Sequence, residues 1–184
     1  MWSCPVTSVF CLFIDDRISD QGFSVSTLSV EFSDILSGQD ADLDAIAHHF
    51  YRMWLDNGIL TTGIKTDWQE ITQNFIDRAI AELAYRAFIA EINEEIIGSV
   101  SCQLYSGLYP QILAENNRKY GYIWGVYVEP EYRRRGIGKE LTQRAITYLK
   151  SLNCTRVLLH AAPPGKPLYE ELGFTMSNGM WLDL

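Results

Sequence analysis

The chain reads as a mixed α/β domain: a mostly antiparallel central sheet flanked by helices on both faces. Three observations predict it. Apolar residues make up 47% and charged residues 21% of 184, the balance of one globular domain with a substantial core. The apolar period changes from helical to alternating near residue 86. Two strand-like runs, 120–130 and 155–162, are separated by a helical stretch, and strands joined by a helix pair in parallel.

The first stretch, "MWSCPVTSVFCLFIDDR", is apolar for 14 residues, too short to span a bilayer. It lacks a basic n-region and a small-residue cleavage site. Residues 1–25 are therefore read as an N-terminal extension, either an ordered strand, a loose arm or a contact for a partner such as a second copy in a homodimer. The domain proper is 26–184 and is expected in the cytoplasm.

"LSVEFSDIL" (28–36) alternates as a strand. A helix follows with Asp40 or Asp42 as N-cap, Gly58 just past its end, and Leu43, Ile46, Ala47, Phe50, Met53 and Trp54 at helical spacing. A second amphipathic helix, 66–85, aligns Trp68, Ile71, Phe75, Ile76, Ala79, Ile80 and Leu83. Met53 and the tryptophans are read as core, with substrate contact as the alternative. His48 and His49, also on the first helix, are read as facing solvent or substrate.

"AFIAEI" and "IIGSVSCQLY" flank "NEE" as a hairpin. "YGYIWGVYVEP" (120–130) is a strand stopped by Pro130. "GKELTQRAITYLKSL" is a helix with Leu141, Ala145, Ile146, Leu149 and Leu152 inward. "TRVLLHAA" (155–162) ends at Pro163 and Pro164, "KPLYEEL" (166–172) is a short helix closed by Gly173, and "FTMSNGMWLDL" predicts a closing hairpin turning at Asn178-Gly179.

The formal net charge is −8. Nucleic acid, held by broad basic surfaces, is excluded as the main partner, and no stretch supports a membrane partner. Cys4, Cys11, Cys102 and Cys154 show no metal-ligand spacing. They are read as buried free thiols in a reducing compartment, and no metal is expected.

Against this acidic background stands "EPEYRRRGIGKEL" (129–141). Gly136 and Gly138 lie between a strand end and a helix start, where amides lack intrahelical acceptors and carry the positive end of the dipole. Arg133, Arg134, Arg135 and Lys139 add charge. The predicted guest is a phosphate or diphosphate. A P-loop would need Gly where Arg133 stands and Ser or Thr where Glu140 stands. A dinucleotide fingerprint would need Gly or Ala where Leu141 stands, and an acid near Leu158–His160.

The segment "VYVEPEYRRRGIGKELTQRAITYL" resembles the acetyl-coenzyme A binding motif of the GCN5-related N-acetyltransferase (GNAT) family, with Arg133, Gly136 and Gly138 at its signature positions and Val126, Val128 and Pro130 in the preceding strand. "KPLYEELGF" resembles the second signature of that family through Leu168, Tyr169, Gly173 and Phe174. The resemblance is tight over 120–174. It implies a splayed parallel strand pair and acetyl-CoA as cosubstrate. Arg133, Arg134, Arg135, Gly136, Ile137, Gly138 and Lys139 would surround the coenzyme diphosphate. The main chain of Val126, Tyr127 and Val128 would pair with the pantetheine arm, as a strand pairs with an extended peptide.

The implied chemistry is N-acetyl transfer to a primary amine, on a small molecule, a peptide N-terminus or a lysine, by direct attack in a ternary complex. Tyr169 matches the family tyrosine that protonates the departing sulfur, and a phenol is protonated at neutral pH. His160, near the end of the 155–162 strand, is a candidate general base, acting directly or through water, or else a structural side chain. Tyr122 and Trp124 share a face with Val126 by alternation. They line the acceptor site or pack against a helix. The reading from another class is a non-catalytic acyl-CoA binding or sensor domain.

Overall fold

The computed structural model describes residues 29–35, 40–107, 112–177, 179–180 and 182. The expectations for residues 1–25, including Cys4 and Cys11, and for Asn178 in the closing turn lie outside them. The elements are β1 (Glu31–Ile35), α1 (Asp40–Asp56), α2 (Trp68–Glu82), β2 (Arg86–Ile92), β3 (Glu95–Leu104), β4 (Tyr120–Val128), α3 (Ile137–Ser151), β5 (Arg156–Leu158) and α4 (Lys166–Glu171).

The five strands lie in the order β1-β2-β3-β4-β5. The first three pairings are antiparallel and the last is parallel, as the strand-helix-strand arrangement requires. The β2–β3 turn places Asn93 and Glu94 at φ +51° and +67°, the mirror-image turn that follows the twist of a hairpin. Asp40 and Asp42, the alternative caps expected, both fall inside α1.

Alternation divides the core between two faces. Ala87 and Ile89 of β2 pack with Leu43 and Ile46 of α1 and Ile76 and Ala79 of α2. Phe88, Ala90 and Ile92 point the other way, toward Leu141, Ala145 and Leu149 of α3. The apolar stripes predicted for the three long helices are thus what places them on opposite sides of one sheet. Cys102 is buried and free, and Cys154 is half-buried and free.

Two expectations change. The strand predicted over 155–162 pairs with β4 only at Tyr120↔Arg156, Gly121↔Val157 and Tyr122↔Leu158. Residues 159–162 form no ladder, because the chain leaves the sheet toward Pro163 and Pro164. No strand occurs among the described residues after Phe174. Met176, Met180 and Leu182 are exposed instead, so no buried face there draws an alternating segment into a sheet.

Candidate active site

The glycine turn builds the start of α3. Gly136 takes φ +83° as the N-cap, and Arg134 takes φ +64°. Backbone of this hand costs a side-chain-bearing residue about 1–2 kcal/mol. It also gathers successive amides into a concavity suited to anions. The first intrahelical bond runs from the Glu140 N–H to the Gly136 carbonyl at 3.0 Å. The amides of Ile137, Gly138 and Lys139 precede that ladder. A β-carbon at Gly136 would meet no atom within 4 Å, so the turn is open there.

The arginines around it are less free than the sequence suggests. Arg133 donates through Nε to the Val128 carbonyl at 2.7 Å and pairs with Asp56 at the end of α1. Arg135 donates to the Glu131 carbonyl, and Lys139 pairs with Glu171. The amides therefore carry more of the turn's attraction for an anion than the formal charge count implies.

A cleft of about 980 Å³ runs from this turn between β4 and the 159–165 segment to the ends of α1 and α2. It exists because β4 and β5 part after Tyr122↔Leu158 while β4 continues to Val128. Across the β3–β4 ladder the register jumps: Ser99 faces Tyr127, but Ser101 faces Trp124. Gly125 and Val126 together oppose Val100, a bulge that leaves main-chain groups unpaired, and Gly125 takes φ +63° to make it. Val126, Tyr127 and Val128 all border the cleft. The Tyr127 ring is buried against His49, with centroids 4.9 Å apart, and its hydroxyl donates to Glu129. Tyr127 thus faces the cleft through its backbone.

His49 corrects an expectation. It faces neither solvent nor substrate but is 3% exposed. Its Nδ1 lies 2.9 Å from the Ser99 hydroxyl and its Nε2 lies 3.8 Å from Glu129. Burial first, then the nearby His48 and Arg52, lowers its pKa from 6.5 to about 4, so the ring is neutral at physiological pH. Met53 and Trp54, read as core, line the cleft instead, and Trp54 stays exposed. The end of α1 borders the cleft through these residues, Asp56 and Asn57.

Tyr169 stands in the cleft wall on α4. Burial raises its pKa above the usual value of 10, so the phenol keeps its proton. The α4 terminus explains the Gly-Phe pair. Gly173 N–H bonds to the Glu170 carbonyl and Phe174 N–H to the Tyr169 carbonyl, the paired bonds of a Schellman end. The reversal sets the Phe174 ring edge-on to Tyr169 at 5.9 Å. Gly138 sits where three elements meet: a β-carbon there would lie 3.4 Å from Leu168 and 3.7 Å from Val128.

His160 is exposed, one residue beyond Leu159, with its Nδ1 2.9 Å from the Tyr122 hydroxyl. Burial raises the Tyr122 pKa, with Tyr105 adding to it; this hydroxyl therefore retains a proton to donate. Trp124 is wedged edge-on between Phe50 and Phe75, at 5.3 and 5.5 Å, and its Nε1–H donates to Gln103. The structure thus brings Tyr169, His160, Tyr122, Trp124, Val126–Val128, Arg133 and Gly138 to one cleft. Asp56 and Thr72 join them unforeseen as site residues, and Phe50 was visible only as a member of the α1 stripe. Phe75 and Ile71 were visible in the sequence, but only as members of a helical stripe.

Residues 50–174 match the sequence model of the acetyltransferase (GNAT) family. The chain belongs to that family. Among curated GNAT relatives, a glucosamine 6-phosphate N-acetyltransferase from Trypanosoma brucei brucei is 32% identical over 58% of this chain and 70% of its own length. An N-alpha-acetyltransferase 30 from Xenopus laevis is 33% identical over 51% of this chain. The matched region is only 33% of that relative's length. A Clostridium acetobutylicum structure described as an acetyltransferase with acetyl-CoA shares the fold, with a TM-score of 0.68 and 24% identity over 85% of this chain and 96% of that one. The GNAT arrangement of a mostly antiparallel sheet with one parallel pair is the one found here. Among the described residues, no group of three potential metal ligands occurs and no helix is long and apolar enough to cross a membrane.

Proposed function

We propose that the chain moves an acetyl group from acetyl-CoA to a primary amine by direct attack in a ternary complex. The observation that carries this reading is the gap between β4 and β5, which opens after Tyr122↔Leu158 with the uncapped amides of α3 at one end and the Tyr169 phenol in its wall.

The diphosphate would lie on the amides of Arg134–Lys139, with the surrounding cations as a secondary attraction. The pantetheine arm would run along the main chain of Val126–Val128, as an added strand does. An unpaired amide at the bulge would receive the developing oxyanion. The amine nitrogen forms a bond to the acetyl carbon, and the carbon–sulfur bond then breaks. Sulfur takes a proton from the Tyr169 phenol, while the proton lost by nitrogen passes to His160 and, through solvent, restores the phenol. Tyr122 holds the imidazole for that transfer. A lysine-like amine has a pKa of about 10.4, so deprotonation is a real requirement of the reaction.

The domain is taken as 26–184 with residues 1–25 as an extension, working in the cytoplasm without nucleic acid, membrane or metal. A homodimer through the extension would appear as a lower mass by size-exclusion chromatography when residues 1–25 are removed. Calorimetry with acetyl-CoA, and separately with CoA, tests the cofactor site, with micromolar binding expected. No binding of either would overturn the reading. Thiol release that depends on added amine tests the transfer.

A further inference from the structure

Beyond the reacting centre the cleft widens into an aromatic chamber. Phe50 and Trp54 come from α1, Ile71 and Phe75 from α2, and Tyr122 and Trp124 from β4. Trp124 is fixed by edge contacts on both sides and by its bond to Gln103. Trp54, Ile71 and Phe75 remain 43%, 42% and 38% exposed. Large apolar side chains converging on one concave site and left open to water mark a surface that an apolar ligand covers.

The charges are equally informative. Among the described residues lining the cleft, the charged or titratable groups other than tyrosine are Asp56, Arg133 and His160. Asp56 and Arg133 hold each other, and Arg133 also serves the Val128 carbonyl. His160 is held by Tyr122. Among the described residues, the chamber itself therefore offers no unengaged cation for a phosphate or carboxylate, and no unengaged carboxylate for a second ammonium. Arg78 and Glu82 line an adjoining hollow of about 280 Å³ that shares Phe75 and Tyr122 with the chamber.

We infer that the acceptor is a primary amine on a compact apolar body, an arylalkylamine with no other charge. This rests on the N-acetyl transfer proposed above. Burial of such an amine among rings disfavours its ammonium form, so the chamber does part of the work otherwise asked of His160. A sugar phosphate or a polyamine would have to desolvate charge without a partner.

The test is amine-dependent thiol release with acetyl-CoA and five acceptors: phenethylamine, tryptamine, glucosamine 6-phosphate, spermidine and a Met-Leu peptide. The expected result is a kcat/KM for the two aryl amines at least about tenfold above the rest. Phe75→Ser, at a half-exposed position, should raise the phenethylamine KM about tenfold, the equivalent of about 1.4 kcal/mol, with the KM for acetyl-CoA unchanged. In the unmodified protein, 2-phenylethanol should compete with phenethylamine. Preference for the sugar phosphate, polyamine or peptide would overturn this inference and leave the transferase reading intact. If acetyl-CoA binds and none of the five amines reacts, both fall.

Discussion

The Tyr122 hydroxyl and His160 Nδ1 stand 2.9 Å apart, bridging the two strands just where they separate. Tyr122 is in the last pair of the parallel ladder, and His160 lies two residues beyond its partner Leu158. The bond thus fixes an otherwise exposed imidazole at the mouth of the gap. His160→Gln should lower kcat by about 10²-fold, the scale of a general base, while acetyl-CoA binds as before. Tyr122→Phe should give a smaller loss of the same kind. Unaltered turnover in His160→Gln would place the proton elsewhere.

Tyr169→Phe should reduce kcat by about 10²-fold while acetyl-CoA binds as before. Because burial raises the phenol's pKa, the acid form persists above pH 10, and Tyr169 should add no basic limb between pH 7 and 9. Turnover unaffected by the substitution would remove the phenol from the mechanism.

Gly136→Val should weaken CoA binding at least tenfold and destabilise the fold by about 1–2 kcal/mol. The cause is conformational: φ is +83°, and a side chain there is strained although space is open around it. Calorimetry and thermal melting read the two effects separately. Unchanged affinity would move the diphosphate away from this turn.

His49 predicts a pH dependence of stability. Its folded pKa is about 4 against an ordinary 6.5. Between those values the unfolded chain binds a proton that the folded chain does not, so stability falls as pH drops through this window. The loss approaches about 3 kcal/mol at 1.36 kcal/mol per unit. His49→Asn has no such titration. Its stability deficit relative to the unmodified protein, measured in urea at pH 7 and pH 4.5, should therefore shrink in acid. A constant deficit would refute this.

Most of the fold was legible because the apolar period of each long element marks the face it buries. The α3 stripe of Leu141, Ala145 and Leu149 can be read from periodicity alone, since all three are buried on one face. The Gly136 turn was legible because two glycines between a strand end and a helix start mark a local backbone need, whereas Tyr169 was named from the resemblance to the second family signature. Other features depend on chain segments far apart. Arg133 was read as a phosphate ligand, and only the tertiary fold brings Asp56 to it, 77 residues away. His49 was misread for the same reason: Ser99 and Glu129, which absorb it, lie on other strands and turns. Residues 159–162 have strand-like composition but lose their partner where the sheet opens.

The three-pair ladder between β4 and β5 has a consequence for the lifetime of the molecule. The last strand is tied to the sheet more weakly than the others, and a cleft opens where its ladder with β4 stops. A pantetheine arm laid there would complete the hydrogen bonding and close the sheet. Binding to the folded state alone would then add stability in proportion to the logarithm of cofactor concentration, about 2.7 kcal/mol at a hundredfold excess over Kd. The abundance of acetyl-CoA would then govern how long the chain resists proteolysis as well as how fast it turns over.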